Sequence, residues 1–356
     1  MDLTNIKGVG PEKARKLMKA GYCTVESIAF SSSRDISMDS GIPEETVKAI
    51  VASAKEIVSS REGVKGGKLV KILPGKEAKK ILGSMDHITT GLEGLDSILG
   101  GGIEICAMTE FYGPAKAGKT QMCHQLCATV QLPRERGGLE APALYIDTER
   151  TMKYEHIEKI AERFGLDPEL TTDNVFYACA TNSEDLCELV FEDLDEVVQN
   201  RGIKLVVVDC LTGHFRAEYC GRESLPLRQQ KINKLMQKLQ NIALAYDLAV
   251  VVTNQVHSQP DLYGKSENPI GGHTVAHGVT FRLGLSIKRY NMRAVTVVDA
   301  PALPPETAYF AITSHGLVHI TEDDLNSKKP VEYTPERDAK RAAAEPEAEE
   351  PVEQAS

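Results

Sequence analysis

One stretch, Tyr112-Gly113-Pro114-Ala115-Lys116-Ala117-Gly118-Lys119-Thr120, constrains this chain more than any other. Gly113 and Gly118 are separated by four residues and followed by Lys119 and Thr120. Glycines at that spacing let the backbone turn so that successive amides point inward, which cradles phosphate. A lysine there reaches the β- and γ-phosphates, a threonine hydroxyl ligates Mg²⁺, and the helix that starts beside them presents its positive end. The apolar run Ile105–Phe111 precedes the loop as a strand would, and Gln121 followed by Met122–Cys127 continues it as a helix would. Gly113 to Gln121 therefore read as the phosphate-contacting residues of a nucleoside-triphosphate site.

Composition places this site in an ordinary globular chain of 356 residues, 42% hydrophobic and 26% charged. No apolar run approaches the ~20 residues that cross a bilayer, and Met1-Asp2-Leu3-Thr4 opens no signal peptide. The expectation is a cytoplasmic, nucleoid-associated protein with no membrane partner. The eight cysteines include no C-x-x-C pair, so small buried thiols are expected rather than zinc ligands. A net charge of −10 argues against a globally basic nucleic-acid binder. Part of it comes from Glu345, Glu347, Glu349, Glu350 and Glu353, in a segment 326–356 that cannot bury a core and is expected to be disordered. Local basic patches, not the total, decide whether DNA is bound.

Residues 1–60 read as a small all-α unit. Gly8-Val9-Gly10-Pro11 opens a helix that Gly21 closes, and Ser40-Gly41-Ile42-Pro43 opens a second helical run, Val47–Ile57. A Gly-apolar-Gly hairpin exposes backbone amides at a helix start, which suits a DNA phosphate; a bundle used only for packing is the bland alternative. The pattern resembles the helix-hairpin-helix family of DNA-binding modules. Residues 61–84, rich in Lys and Gly, read as a basic linker or arm.

From 85 to 325 the sequence alternates strand-like and helical runs. Ala143–Glu149, Leu205–Asp209 and Leu248–Gln255 read as buried parallel strands, separated by helices at Glu155–Phe164, Glu184–Gln199 and Arg228–Tyr246. That order predicts an α/β core with a mostly parallel sheet, whose ligands sit beyond the strands' carboxyl ends. Thr120, Glu149, Asp209 and Gln255 should therefore converge. Thr120 and Asp209 are the expected Mg²⁺ holders. Glu149 orients and deprotonates the attacking water, unless it is a merely solvated carboxylate. Gln255 cannot be a base but can sense the γ-phosphate and pass its presence to the following loop.

The match then becomes specific. Gly118-Lys119-Thr120-Gln121, Tyr145-Ile146-Asp147-Thr148-Glu149, His214-Phe215-Arg216-Ala217-Glu218-Tyr219, Thr253-Asn254-Gln255-Val256, Pro269-Ile270-Gly271-Gly272-His273 and Asp299-Ala300-Pro301 together resemble the archaeal RadA recombinases, RecA-like strand-exchange ATPases. The resemblance covers about residues 5–325. It implies a RecA-like P-loop ATPase core behind the helix-hairpin-helix unit, using ATP and Mg²⁺. It also implies self-association into filaments or rings on single- and double-stranded DNA, with recombination mediators as further partners. It places DNA contacts at Gly8 and Gly10 and on two loops: 216–228 with Arg216, Tyr219, Arg222 and Arg228, and 256–272 with His257, Tyr263, Lys265, Gly271 and Gly272. His273 is expected near the γ-phosphate of a neighbouring subunit, His156 against the adenine, and Asp299 with Pro301 as a cap across the subunit interface, where K⁺ is a further expectation.

Three departures accompany the match. The family's Phe-x-x-Ala hook corresponds here to Ile72 and Gly75, losing aromatic burial worth about 1–2 kcal/mol. Arg150 and Met152 stand where the family usually has Gly or Asn and Phe, and His156 where an Arg commonly stacks. The resulting expectation is a DNA-dependent ATPase that pairs and exchanges strands. A recombinase paralogue that only assists another filament former is the alternative, and a RecA-fold regulator assembling around a protein is a more distant one.

Overall fold

The computed structural model describes residues 3–60, 74–83, 85–221, 223–261, 264–301 and 303–336. The chain opens with helices α1 (Pro11–Lys19), α2 (Val25–Phe30), α3 (Ser33–Ser40) and α4 (Glu44–Ser60). Pro11 at the first helical position forfeits an N–H that would have no partner anyway. Thr24 and Ser27 close a capping box on α2, and Gly41 ends α3 in the left-handed conformation. These helices bury a core of their own around Leu17, Val25, Ile28, Ile36, Val47 and Ile50. Helix α5 (Gly75–Leu82) lies inside the segment read as a basic linker or arm. Ile72 lies outside the described residues, and Gly75 is the first residue of that helix.

The remaining elements, in order, are β1 (His87–Ile88), α6 (Glu93–Leu99), β2 (Ile103–Glu104), β3 (Met108–Gly113), α7 (Lys119–Thr129), β4 (Ala143–Asp147), α8 (Tyr154–Arg163), α9 (Pro168–Asp173), β5 (Val175–Cys179), α10 (Ser183–Glu188), α11 (Leu194–Arg201), β6 (Leu205–Asp209), α12 (Gly213–Glu218), α13 (Leu225–Tyr246), β7 (Ala249–Asp261), β8 (Gly264–Pro269), α14 (Gly272–Gly278), β9 (Phe281–Ile287), β10 (Met292–Asp299), β11 (Thr307–Thr313), β12 (Gly316–Ile320) and α15 (Glu322–Leu325). Among the described residues the central sheet runs β12-β11-β10-β9-β3-β7-β6-β4-β5, with β8 paired onto the far end of β7. From β9 to β5 every pairing is parallel; β9 to β12 is an antiparallel meander. Two apolar layers cover the sheet, one around Phe111, Tyr145 and Phe310, the other around Ile146, Phe215 and Leu239. The fold is the expected α/β arrangement with a mostly parallel sheet.

The strands legible in sequence are the central ones: every residue of β4 and β6 is buried. Strands β5 and β9 to β12 went unread; β5 and β9 alternate more and less buried positions and so lack the uniform apolar run of β4 and β6, and β10 to β12 form an antiparallel meander outside the strand–helix alternation. Three further expectations change. The second loop is a hairpin, β7–β8, with Val256 opposite Pro269 and Asp261 opposite Gly264. The cysteines are free, as expected, but Cys179 and Cys220 are exposed rather than buried. The described start of the acidic tail is seated, because Val331 exchanges hydrogen bonds with Asn291 and Tyr333 stacks on His315 at 4.7 Å. No described helix is long and apolar enough to cross a membrane.

The helical unit docks on the core through a built joint. The Thr24 hydroxyl lies 2.6 Å from the Tyr246 hydroxyl, which in turn donates to Asp195 Oδ1 at 2.9 Å. Lys238 forms a buried ion pair with Asp195. Gly21 meets the π-helical turn Leu189–Asp193 between α10 and α11 so closely that a Cβ would stand 2.1 Å from the Phe191 carbonyl oxygen.

Candidate nucleotide and DNA site

Strand register decides which groups meet. Gly113 on β3 lies opposite Gln255 on β7, and Asp147 on β4 opposite Asp209 on β6, so four strands deliver their carboxyl ends at one level. Beyond them opens a cavity of about 720 Å³ lined by Ala115, Lys116, Gly118, Lys119, Thr120, Gln121, Glu149, His156, Asp209 and Gln255 among others. Its size is that of a nucleotide-scale ligand site. Gly118, at φ 106°, supplies the turn into α7, and Lys116 is itself left-handed at φ 67°. At Gly113 a Cβ would stand 2.5 Å from the Leu285 carbonyl oxygen, so the tight pairing of β3 and β9 admits only glycine. Pro114 and Ala117 shape the loop from outside the cavity; Ala117 is fully buried.

The loop's cation is held ready. Lys119 Nζ donates to the carbonyls of Gly113 (2.9 Å) and Pro114 (3.0 Å), leaving one of its three N–H groups for a ligand. Burial lowers its pKa, against the attraction of Asp209. Asp209 Oδ2 accepts from Thr120 Oγ1 (2.7 Å) and Tyr145 OH (2.6 Å), and its Oδ1 accepts from Thr253. The hydroxyl and carboxylate expected to share a metal thus already touch, which is the donor set of a hard cation. Glu149 Oε1 accepts from Gln255 Nε2 at 2.5 Å and from the Cys210 thiol at 3.2 Å. Burial, with the negative charge of Glu149, pushes the Cys210 thiol up to about 12, so it remains a donor. Asp147 holds the Glu149 loop from behind, accepting from the amides of Glu149 and Met152, both at 3.0 Å. Within that loop Arg150 adopts φ 57°, a conformation in which Gly or Asn is unstrained.

Also lining the cavity is His156, whose pKa is lowered by burial and whose Nδ1 is buried without a hydrogen-bond partner. Behind it His124 is 1% exposed and neither ring nitrogen has a partner; burial lowers its pKa to about 4. Asp299 and Pro301 lie at the end of β10, exposed and away from this cavity.

The first expected DNA loop is shorter than 216–228, because its ends are helical. Arg216 is exposed on α12, Arg228 is on α13, and Tyr219 caps α12, stacking on Phe215 at 6.3 Å while its hydroxyl takes Lys231 Nζ at 2.6 Å. Arg222 and Tyr263 lie outside the described residues. His257 is on β7, Lys265 on β8 and His273 on α14; Gly271 and Gly272 join β8 to α14 at φ 93° and 55°. In the helical unit Gly8, at φ 91°, accepts from Lys13 Nζ at 2.9 Å, and Gly10 faces open space.

The Rad51 family profile matches residues 83–320, and a SAM-like helix-hairpin-helix tandem matches residues 1–56. The DNA repair and recombination protein RadA of Aeropyrum pernix is 43% identical over 317 residues, covering 89% of this chain and 96% of that protein. RadA of Metallosphaera sedula is 43% identical (88% and 94% covered), and RadA of Ignicoccus hospitalis 42% (88% and 94%). The chain belongs to the Rad51 family. It is therefore a RecA-like, DNA-dependent ATPase of recombination.

Several residues that build this recombinase's site gave little sign in the sequence. Arg293 lines the cavity and donates to the Lys116 carbonyl at 2.9 Å, bracing the phosphate loop from β10. A lone arginine in an otherwise apolar, mostly buried strand is the signal that could have found it. Cys210 carried no signal, and Tyr145 and Thr253 entered only as members of the strand motifs, since each looks like core.

Proposed function

We propose that the chain polymerises on single-stranded DNA and carries out homologous pairing and strand exchange, with ATP holding the DNA-competent filament and hydrolysis releasing it. The observation that carries this reading is the hydrogen bond between Gln255, at the root of the β7–β8 hairpin, and Glu149, at the edge of the ATP cavity. It joins a DNA-facing element directly to the carboxylate best placed to activate water.

On this reading the roles are as follows. The amides of 113–121 cradle the phosphates, and Lys119 donates to the terminal ones. Thr120 and Asp209 hold Mg²⁺, which supplies charge neutralisation on the phosphate oxygens when bound. Glu149 takes a proton from the attacking water through whichever carboxylate oxygen Gln255 leaves free. His156 packs against the base. Arg216, Tyr219, Arg222 and Arg228 on the first element, and His257, Lys265, Gly271 and Gly272 on the second, contact DNA backbone, as do Gly8 and Gly10. Asp299, Pro301 and His273 complete the site of a neighbouring subunit, where Asp299 is also the seat for K⁺. Residues 1–60, 61–84, 85–325 and 326–356 act as DNA module, assembly arm, motor and tail. Double-stranded DNA and recombination mediators are the remaining partners, in the cytoplasm at the nucleoid.

ATP hydrolysis with and without single-stranded DNA, beside Lys119→Ala and Glu149→Gln and with filaments scored by electron microscopy, tests the reading. DNA-stimulated turnover that falls about 10²-fold or more in both variants is expected. Binding of ATP and DNA without stimulated turnover or filaments would make the chain an assisting paralogue instead.

A further inference from the structure

Behind the ATP cavity lies a second polar cluster that the hydrolytic roles above do not use. Asn254, the residue before Gln255, is 0% exposed. Its Nδ2 donates to Glu110 Oε1 and to the Ile270 carbonyl, both at 2.7 Å, and its Oδ1 accepts from Thr212 Oγ1 at 2.7 Å. Glu110, also 0% exposed, receives Arg282 Nε on its other oxygen at 2.7 Å. One side-chain amide thus reaches three separate segments. Glu110 belongs to β3, the strand that runs into the phosphate loop; Ile270 closes the β7–β8 hairpin; Thr212 is the N-cap residue of α12. Backbone contacts repeat the pattern, with Ile270 N–H on the Gln255 carbonyl (2.9 Å) and Leu211 N–H on the Thr253 carbonyl (3.0 Å).

Packing alone does not ask for such a cluster. Burying an amide, a hydroxyl and a carboxylate is costly unless every group is satisfied, and apolar side chains would fill the space at less cost. Both polar atoms of the Asn254 amide and both Glu110 oxygens are satisfied here, although Arg282 Nη2 is not. What such a network adds is one defined relative placement of the segments it joins. Here those segments are the two elements read as DNA-facing and the strand of the phosphate loop.

We propose that Asn254 is a positioning residue that couples α12 and the exit of the β7–β8 hairpin to each other and to the phosphate loop, so that both DNA elements answer to nucleotide as one unit. This rests on the reading of those elements as the DNA contacts. Loss of one leg should weaken the coupling between nucleotide and DNA without weakening ATP binding itself, since Thr212 does not line the ATP cavity.

Thr212→Val and Thr212→Ser in the full chain separate coupling from packing: Val keeps the shape and loses the hydroxyl, Ser keeps the hydroxyl and loses a methyl. The readout is single-stranded DNA affinity with a non-hydrolysable ATP analogue divided by that with ADP, a direct measure of the coupling. In Thr212→Val the ratio is expected to fall about tenfold, the equivalent of one hydrogen bond, and in Thr212→Ser to stay within about twofold. Affinity for the ATP analogue without DNA should stay within about twofold in both. A Val variant that keeps the ratio, or a Ser variant that loses as much as Val, overturns the proposal. Should Val not fold, Thr212→Ala removes the same hydroxyl and must show the same loss. Arg216→Ala isolates the underlying reading. If it leaves DNA affinity intact, the DNA assignment of α12 fails; if it weakens DNA binding while the Val variant keeps its ratio, only Asn254's role fails.

Discussion

Two buried charged centres of this molecule are built to different rules. At the joint between the helical unit and the core, Asp195 receives Lys238 and Tyr246, and Tyr246 meets Thr24. Each charge there has a counter-charge or a close donor. At the strand-end cavity Lys119 contacts only backbone carbonyls, and behind the cavity both nitrogens of His124 lack a hydrogen-bond partner. Both centres carry desolvation cost, but at the joint the lysine is paired with a carboxylate, whereas Lys119 holds only neutral carbonyls beside a cavity of about 720 Å³. A closed network fixes parts in place; an incomplete one waits for the group that completes it.

That contrast can be broken by experiment. The largest effect is expected at the joint, where Lys238→Met leaves Asp195 buried and unpaired. Urea unfolding should show a loss of about 3–5 kcal/mol, with the double variant Asp195→Leu, Lys238→Met recovering most of it. A loss below about 1 kcal/mol would mean that the joint is not closed as described. Next comes His124. Its pKa is lowered to about 4 in the fold, so the unfolded chain binds the extra proton between about 4 and the ordinary 6.5. Stability from this group is full above pH 6.5 and is lost as pH falls through 4, by up to about 3 kcal/mol. His124→Gln should flatten that slope in thermal melts recorded from pH 7 to 4; an unchanged slope would reassign the acid sensitivity.

A smaller effect is expected at Cys210. Replacing its thiol by Ala frees Glu149 Oε1 from one donor, and DNA-stimulated kcat should drop up to about tenfold with the KM for ATP held. Ser should restore it; equal losses in Ala and Ser would mean a packing role. The smallest concerns Arg150. Relieving its left-handed backbone with Gly should change stability by less than about 1 kcal/mol, because the flexibility of glycine in the unfolded chain offsets the relief. A larger gain, read as a shift in Tm, would make this loop a strained part of the cavity rather than a tolerant one.

Much of the cavity could be read from the chain because its parts are local. The phosphate loop is contiguous, and the central strands are uniformly apolar runs ending in Glu149, Asp209 and Gln255. The joint was not legible. Asp195, Lys238 and Tyr246 sit among other polar residues on ordinary helices, and nothing in their spacing says that they face Thr24. Arg293 escaped for a related reason, since it reaches the phosphate loop from β10, far away in sequence. The second DNA element was read as a loop because Gly and Pro punctuate it, yet strand pairing extends through it to Asp261.

The sequence by itself determined the chemistry: a glycine-turned loop, its lysine and threonine, and the polar residues that follow buried strands. Those choices are local, since a tight turn or a fully buried strand restricts residue type wherever it occurs. Only the tertiary structure decided the company they keep. Parallel register brought Gly113 beside Gln255 and Asp147 beside Asp209, and helix packing set Thr24 against Tyr246. Contacts between residues distant in the chain depend on how whole elements stack, and no local pattern carries that.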